Sequence, residues 1–279
     1  MKTILMKNIY LFVILLIVGC STYNNVKSKP NYYKIEGISR GEEYWIHYNN
    51  GIIDSSTKEL RMVTKYNSNG NPITDVEYYT YRNDSYQYVK DSNTLYYTYD
   101  KLDNLIEQKQ ILSNGKINTL IKYEYNDKNE QTKMLVFGEN DNVNRKLEYS
   151  YKEGKKVKSI ETNSNNEVIN VIEYKYKDNI ETEVLVYNKL NLLTSKKVLT
   201  KVENGIQYSD EFDGEGKLVR KNETKYENGF IVSDRIIDES PISGLQFESF
   251  YNEKNLIVKT IHYLSNEPTF ISEYKYIKK

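Results

Sequence analysis

The pair Tyr-x-Tyr recurs down most of this chain, at Tyr97/Tyr99, Tyr123/Tyr125, Tyr149/Tyr151, Tyr174/Tyr176 and Tyr274/Tyr276. Thr200/Val202, Thr224/Tyr226 and Ser249/Tyr251 hold the intervening positions, so the spacing stays between 24 and 26 residues throughout. A polar turn follows each pair, as in 100–104, 126–129, Lys152-Glu153-Gly154, Lys177-Asp178-Asn179, Glu203-Asn204-Gly205, Glu227-Asn228-Gly229 and 252–255. A second set lies halfway to the next pair, at Ser113-Asn114-Gly115, 163–166, 188–191, 213–216 and 265–268. Asn, Asp and Gly tolerate the positive φ and short-range hydrogen bonds that tight antiparallel connections require. Two turns per repeat make each repeat a β-hairpin.

Between turns the period is two. Val143, Arg145, Leu147, Tyr149 and Tyr151 share one face of their segment, while Asn144, Lys146, Glu148 and Ser150 share the other. Nothing after residue 20 sustains the three-and-four spacing of a helix. The expectation is an all-β body, one long antiparallel up-and-down meander of about 16 to 19 strands built from hairpin repeats of about 25 residues. Such a meander either coils into a barrel or cocoon with its tyrosines inside, or stays an open, twisted single-layer sheet shielded by Lys and Glu stems.

The first twenty residues stand apart. Lys2 and Lys7 precede an apolar run over 9–18, the length of a signal-peptide core and short for a bilayer span. The run ends in Ile17-Val18-Gly19-Cys20, which resembles the lipobox of bacterial lipoproteins, with Ile17 in place of the commoner Leu. Cys20 is the chain's only cysteine. The resemblance implies a signal peptide over 1–19, a diacylated Cys20 and a membrane partner reached through that lipid. Residues 20–30, rich in Ser, Thr, Asn and Lys, read as a tether, and 31–279 as a single repeat domain. Ser21 is not Asp, which by the same resemblance favours the outer membrane or cell surface if the cell is Gram-negative.

"YTYDKLDNLIE", residues 97–107, is similar to the YD repeat of the RHS family, although Asp103 stands where Gly is usual. The looser copies look like the MORN-type variant repeats of bacterial antitoxin-like proteins. RHS shells carry a toxin domain after their repeats, whereas this chain ends in "SEYKYIKK", another repeat strand. The resemblance therefore implies a repeat scaffold without cargo.

Chemistry is sparse. With 39 basic and 39 acidic residues, no global field attracts nucleic acid. His47 and His262, the only histidines, lie far apart on strand-like segments. No metal-binding spacing, phosphate loop or nucleophile motif accompanies them. The expectation is therefore a non-enzyme without cofactor, metal or catalytic residues. Tyr97, Tyr123, Tyr149 and Tyr174 form the one candidate binding ladder, amphipathic rings able to stack on a glycan or a protein. The competing reading makes them the covered face of the sheet. Function is expected to be that of a lipid-anchored envelope scaffold or binding protein, the alternatives being an antitoxin or immunity-like binder, or a carbohydrate binder using the Tyr ladder.

Overall fold

The computed structural model describes residues 31–82, 87–138, 142–237, 245–264 and 267–279. The expected signal peptide, Cys20 and the tether lie outside the described residues. A short helix, Tyr32–Ile35, leads into β1 (Ile38–Asn49), the two-residue β2 (Ile52–Ile53) and β3 (Glu59–Tyr66). The meander continues through β4 (Pro72–Arg82), β5 (Tyr88–Tyr99), β6 (Leu105–Leu112), β7 (Ile117–Tyr125), β8 (Gln131–Phe137), β9 (Val143–Lys152) and β10 (Lys155–Asn163). It ends with β11 (Val168–Lys177), β12 (Ile180–Asn188), β13 (Leu193–Glu203), β14 (Ile206–Asp213), β15 (Leu218–Glu227), β16 (Phe230–Ile236), β17 (Leu245–Tyr251), β18 (Ile257–Leu264) and β19 (Glu267–Lys278).

Each strand from β3 onward pairs antiparallel with its successor, and β1 pairs with both β3 and β19. The β1–β19 register runs from Ile38↔Lys278 to His47↔Phe270. Of the two architectures the repeat pattern allows, the closed barrel is the one observed. Closure leaves no long strand edge to template aggregation.

The turns follow from their residues. Glu153-Gly154 and Asn204-Gly205 have positive φ at both positions, the type I′ geometry that matches strand twist. In the five-residue turns an Asx side chain holds the loop. Asn126 Oδ1 accepts from the amides of Lys128 and Glu130, and Asn129 adopts φ 64°. The same pair of side-chain bonds recurs at Asp100, Asn163, Asn188, Asp213 and Asn252.

One-residue register shifts accompany these hairpins, for example between Glu124/Tyr125, Lys175/Tyr176 and Phe250/Tyr251. Such bulges bend the strand and raise its local twist, which helps a long meander to curl. Each bulge also leaves a carbonyl beyond the end of the next ladder. The second tyrosine of the following repeat donates its hydroxyl to that carbonyl: Tyr99 to Pro72, Tyr125 to Leu105, Tyr151 to Gln131, Tyr176 to Lys156, Tyr251 to Ile231 and Tyr276 to Ile257, at 2.8 to 3.3 Å. Val202, at the same place in its repeat, has no hydroxyl to give and is 50% exposed. The tyrosines thus staple neighbouring hairpins along one rim. Tyr151→Phe removes only the hydroxyl and leaves the Gln131 carbonyl unmatched. The expected cost is about 1–2 kcal/mol in equilibrium denaturation, and an unchanged midpoint would argue against the staple.

The two faces of the wall differ. The cross-strand pairs Met134↔Leu147, Tyr149↔Ser159, Ser159↔Ile172 and Tyr174↔Val184 place the first tyrosines and the apolar clusters Ile121/Met134/Leu147 and Ile172/Tyr174/Val184 on one face. Burial is the largest cause raising the pKa of Tyr97, Tyr123, Tyr149 and Tyr274 there, with Tyr123 and Tyr274 pushed up to about 12. Three groups on the opposite face instead owe their shift first to a hydrogen-bonded partner: Glu42 for Tyr44, Glu124 for Lys133 and Glu183 for Lys175. The tyrosine face is therefore the interior and the ion-paired face the exterior. The helix agrees, since Tyr33 stacks on Tyr66 of β3 and meets Tyr276 of β19 while its neighbour Tyr32 packs on Phe230 of β16. One short segment reaches strands that far apart in the ring only from the concave side.

Candidate functional site

Local sequence places each candidate residue by alternation. Tyr97, Tyr123, Tyr149 and Tyr174 all point inward, as the covered-face reading expects. Their hydroxyls find partners on the same wall: Tyr97 donates to Asp75 at 2.6 Å, Tyr123 to Gln108 at 3.2 Å, and Tyr174 lies 3.4 Å from Ser159 Oγ. Lys156 Nζ sits 5.3 Å from the Tyr149 ring centroid and 4.6 Å from that of Tyr174, tying two members of the column together. These rings form part of the packed inner wall.

The interior is not uniformly apolar. Arg145 pairs with Glu161, and Asn170 Nδ2 donates to the same carboxylate at 2.9 Å. Asp234, packed against β15, has its pKa raised by burial, a shift opposed by the Thr224 hydroxyl at 2.8 Å and by Lys197 and Arg220 nearby. Both clusters hold their acids against bases or hydroxyls on adjacent strands, which is how buried charges are kept.

The most organised constellation lies near the other rim, across β18, β19, β1 and β3. His262 stacks on Phe270 at 4.1 Å and 14°, Phe270 on Trp45 at 4.4 Å and 30°, and the Arg61 guanidinium lies 4.1 Å from the Trp45 ring centroid. Flat groups on four successive strands make one continuous stack. Beneath it, His262 Nε2 is 3.1 Å from Ser272 Oγ, which donates to Glu43 Oε1 at 2.7 Å, and Trp45 Nε1 donates to the same oxygen at 2.7 Å. The order is His–Ser–Glu, with a fully covered serine in the middle. A hydrolytic triad places the imidazole between hydroxyl and acid, whereas here the Ser272 hydroxyl donates to Glu43 and its oxygen is covered from solvent. Of the two histidines expected to be ordinary strand residues, His47 is one, tilted against Phe270, whereas His262 anchors the stack. The signal available was the alternation that puts Trp45, His262 and Phe270 inward, but the pairing that aligns them needs the closed ring.

Burial lowers the pKa of His262 to about 4. Its folded value lies below the unfolded value near 6.5, so the unfolded chain binds the extra proton between them. The stability that depends on neutral His262 is fully present above pH 6.5 and is lost as the pH falls toward 4. Denaturation midpoints of wild type and His262→Gln, measured from pH 7 to 4, are expected to converge as acid removes the wild-type advantage. Parallel pH profiles would contradict this.

Among the described residues no group of three or more His, Cys, Asp or Glu is placed to hold a metal ion. No helix of the described residues is long and apolar enough to cross a membrane.

Fold and wall define a class: a closed, antiparallel, up-and-down β-barrel with a stapled rim, a tyrosine-lined interior and an ion-paired exterior. The sequence matches no protein-family model and no curated protein. Among solved structures it is similar to a porin-like protein from Bacteroides uniformis, at 11% identity and a TM-score of 0.46, covering 86% of this chain and 98% of that one. It is also similar to a TcdB2-TccC3-TEV chain, at 10% identity and a TM-score of 0.22, covering 78% of this chain but only 12% of that much longer one.

Proposed function

We propose that this protein is a lipid-anchored β-barrel of the bacterial cell envelope that stands in water and acts by binding rather than by catalysis. The exterior carries the reading. Glu183 pairs with Lys175 at 2.8 Å and Lys196 at 3.3 Å, Lys133 pairs with Glu124 at 2.8 Å, and Lys146 with Glu148 at 3.2 Å, all on the outer face. The apolar side chains on the same face, Ile46, Ile271 and Leu185, are at most 6% exposed. A lipid-spanning barrel needs an apolar band about 25 Å tall, and each cation at mid-bilayer costs about 2–4 kcal/mol. These strands carry charge where such a band would lie. Membrane attachment then falls to the lipobox-like cysteine, where two or three acyl chains suffice for a stable anchor.

Separating a spanning barrel from an anchored one is a fractionation experiment. In a bacterial host labelled with palmitate, the wild-type protein is expected to carry label and to float with membranes. Cys20→Ala is expected to lose both while retaining its β-sheet circular dichroism. A Cys20→Ala protein that still resists alkaline extraction from membranes would overturn the reading.

A further inference from the structure

Where the His262–Phe270–Trp45–Arg61 stack ends, the wall has a notch. The β3–β4 ladder stops at Met62↔Glu77, yet β3 continues to Glu59 paired only with β1, and β4 continues to Arg82 paired only with β5. The two strands diverge, and a cavity of about 290 Å³ lies between them. Lys58, Glu59, Arg61, Tyr78, Tyr79 and Asp91 line it, and Lys90 stands at its exposed side. Arg61 lies along both the stack and the notch. Its side chain is 14% exposed, its Nε is buried without a partner, and among the described residues the carboxylate that comes within 4 Å of it, Glu77, is 3.9 Å away, beyond hydrogen-bond reach. A desolvated guanidinium with open donors, held flat by an indole, is prepared for an anion.

A simple anion does not account for the rest of the lining. Glu59 and Asp91 would repel it, whereas both can accept hydrogen bonds from hydroxyl groups. Tyr78, 38% exposed, offers a ring face. Carboxylate donors, hydroxyl acceptors and a stacking ring in a cavity near the small end of ligand pockets fit one sugar ring that bears a carboxylate. We infer that the notch between β3 and β4 binds an acidic sugar of the uronic-acid type, its carboxylate on Arg61 with Lys90 beside it, and its hydroxyls on Glu59 and Asp91; Lys58 at the margin is held by Glu273 at 2.6 Å. This deepens the reading of the protein as a binding barrel and names a ligand class for it.

Trp45 is the only tryptophan of the chain, so its fluorescence reports on this stack alone. The test is a fluorescence titration of the lipidated protein in mild detergent with D-glucuronate, D-glucose, acetate and glycylglycine. Saturable quenching by glucuronate in the millimolar range is expected, with affinity at least about tenfold weaker for the other three. Arg61→Gln should abolish the response and Lys90→Gln, at an exposed position, should weaken it severalfold with an unchanged melting temperature. The assignment is overturned by a flat glucuronate titration, by acetate or glycylglycine matching glucuronate, by glucose matching it, or by full binding in a folded Arg61→Gln protein. If Arg61→Gln fails to fold, the ligand panel and Lys90→Gln still decide. The titration is independent of the anchor, so loss of the lipid reading through Cys20→Ala leaves this result standing, and a flat titration leaves the anchor standing.

Discussion

Deleting residues 267–279 is expected to abolish cooperative folding. β19 is the strand through which the ring closes, paired with β18 from Lys259↔Glu273 to Leu264↔Glu267 and with β1 from Ile38↔Lys278 to His47↔Phe270. Its loss removes Ile271 and Ser272, 2% and 0% exposed, together with the Tyr276 staple and the Phe270 layer of the aromatic stack. Two new edges would appear, one on β1 and one on β18, each with a row of unpaired amides and carbonyls. Stabilities of whole domains are only about 5–15 kcal/mol, so a loss spread over an entire strand leaves little margin. Guanidinium denaturation followed by near-ultraviolet circular dichroism should show no sharp transition in the truncated protein. A transition with the wild-type midpoint would mean that closure contributes nothing to stability.

Tyr149→Ala is expected to cost roughly 3 kcal/mol or more, by the scale of large-to-small changes in packed cores. The ring packs on the Ile121/Met134/Leu147 cluster, faces Ser159 on the neighbouring strand and carries the Lys156 ammonium near its face. Removing it uncovers Ser159, which is 1% exposed, and leaves Lys156 with the Tyr174 ring alone. An exposed ring would lose less than about 0.5 kcal/mol. Equilibrium denaturation therefore distinguishes a wall component from a free binding surface. A loss below that threshold would return the tyrosine column to the list of ligand platforms.

Much of this architecture is legible in the sequence because its grammar is local. Alternation assigns Val143, Arg145, Leu147, Tyr149 and Tyr151 to one face without reference to any other strand, and the Asn, Asp and Gly turns sit where the chain reverses. Which way the sheet curls depends on terms that no single repeat contains. The decisive contact is the β1–β19 pairing between segments at opposite ends of the body, and both strands look like any other repeat strand. The candidate site was less legible. The tyrosine spacing marks the first residue of each pair, whereas the hydroxyl staples belong to the second, because a bulge that leaves a carbonyl unmatched has no sequence mark beyond the turn itself. Arg61, Trp45, Phe270 and His262 share no motif, and they meet only because the ring brings four strands side by side.

Antiparallel closure between the first and last strands also sets a rule of parity. A wall in which every strand opposes both neighbours can close only with an even number of strands, and each repeat supplies two. Gain or loss of a whole repeat therefore preserves the seam, while gain or loss of one strand would set β1 and β19 parallel and forbid the register they now share. The girth of the interior becomes a trait set by copy number, adjustable in steps of one hairpin by unequal recombination between similar repeats. A hairpin added in the middle of the barrel would leave the β1–β19 register as it stands.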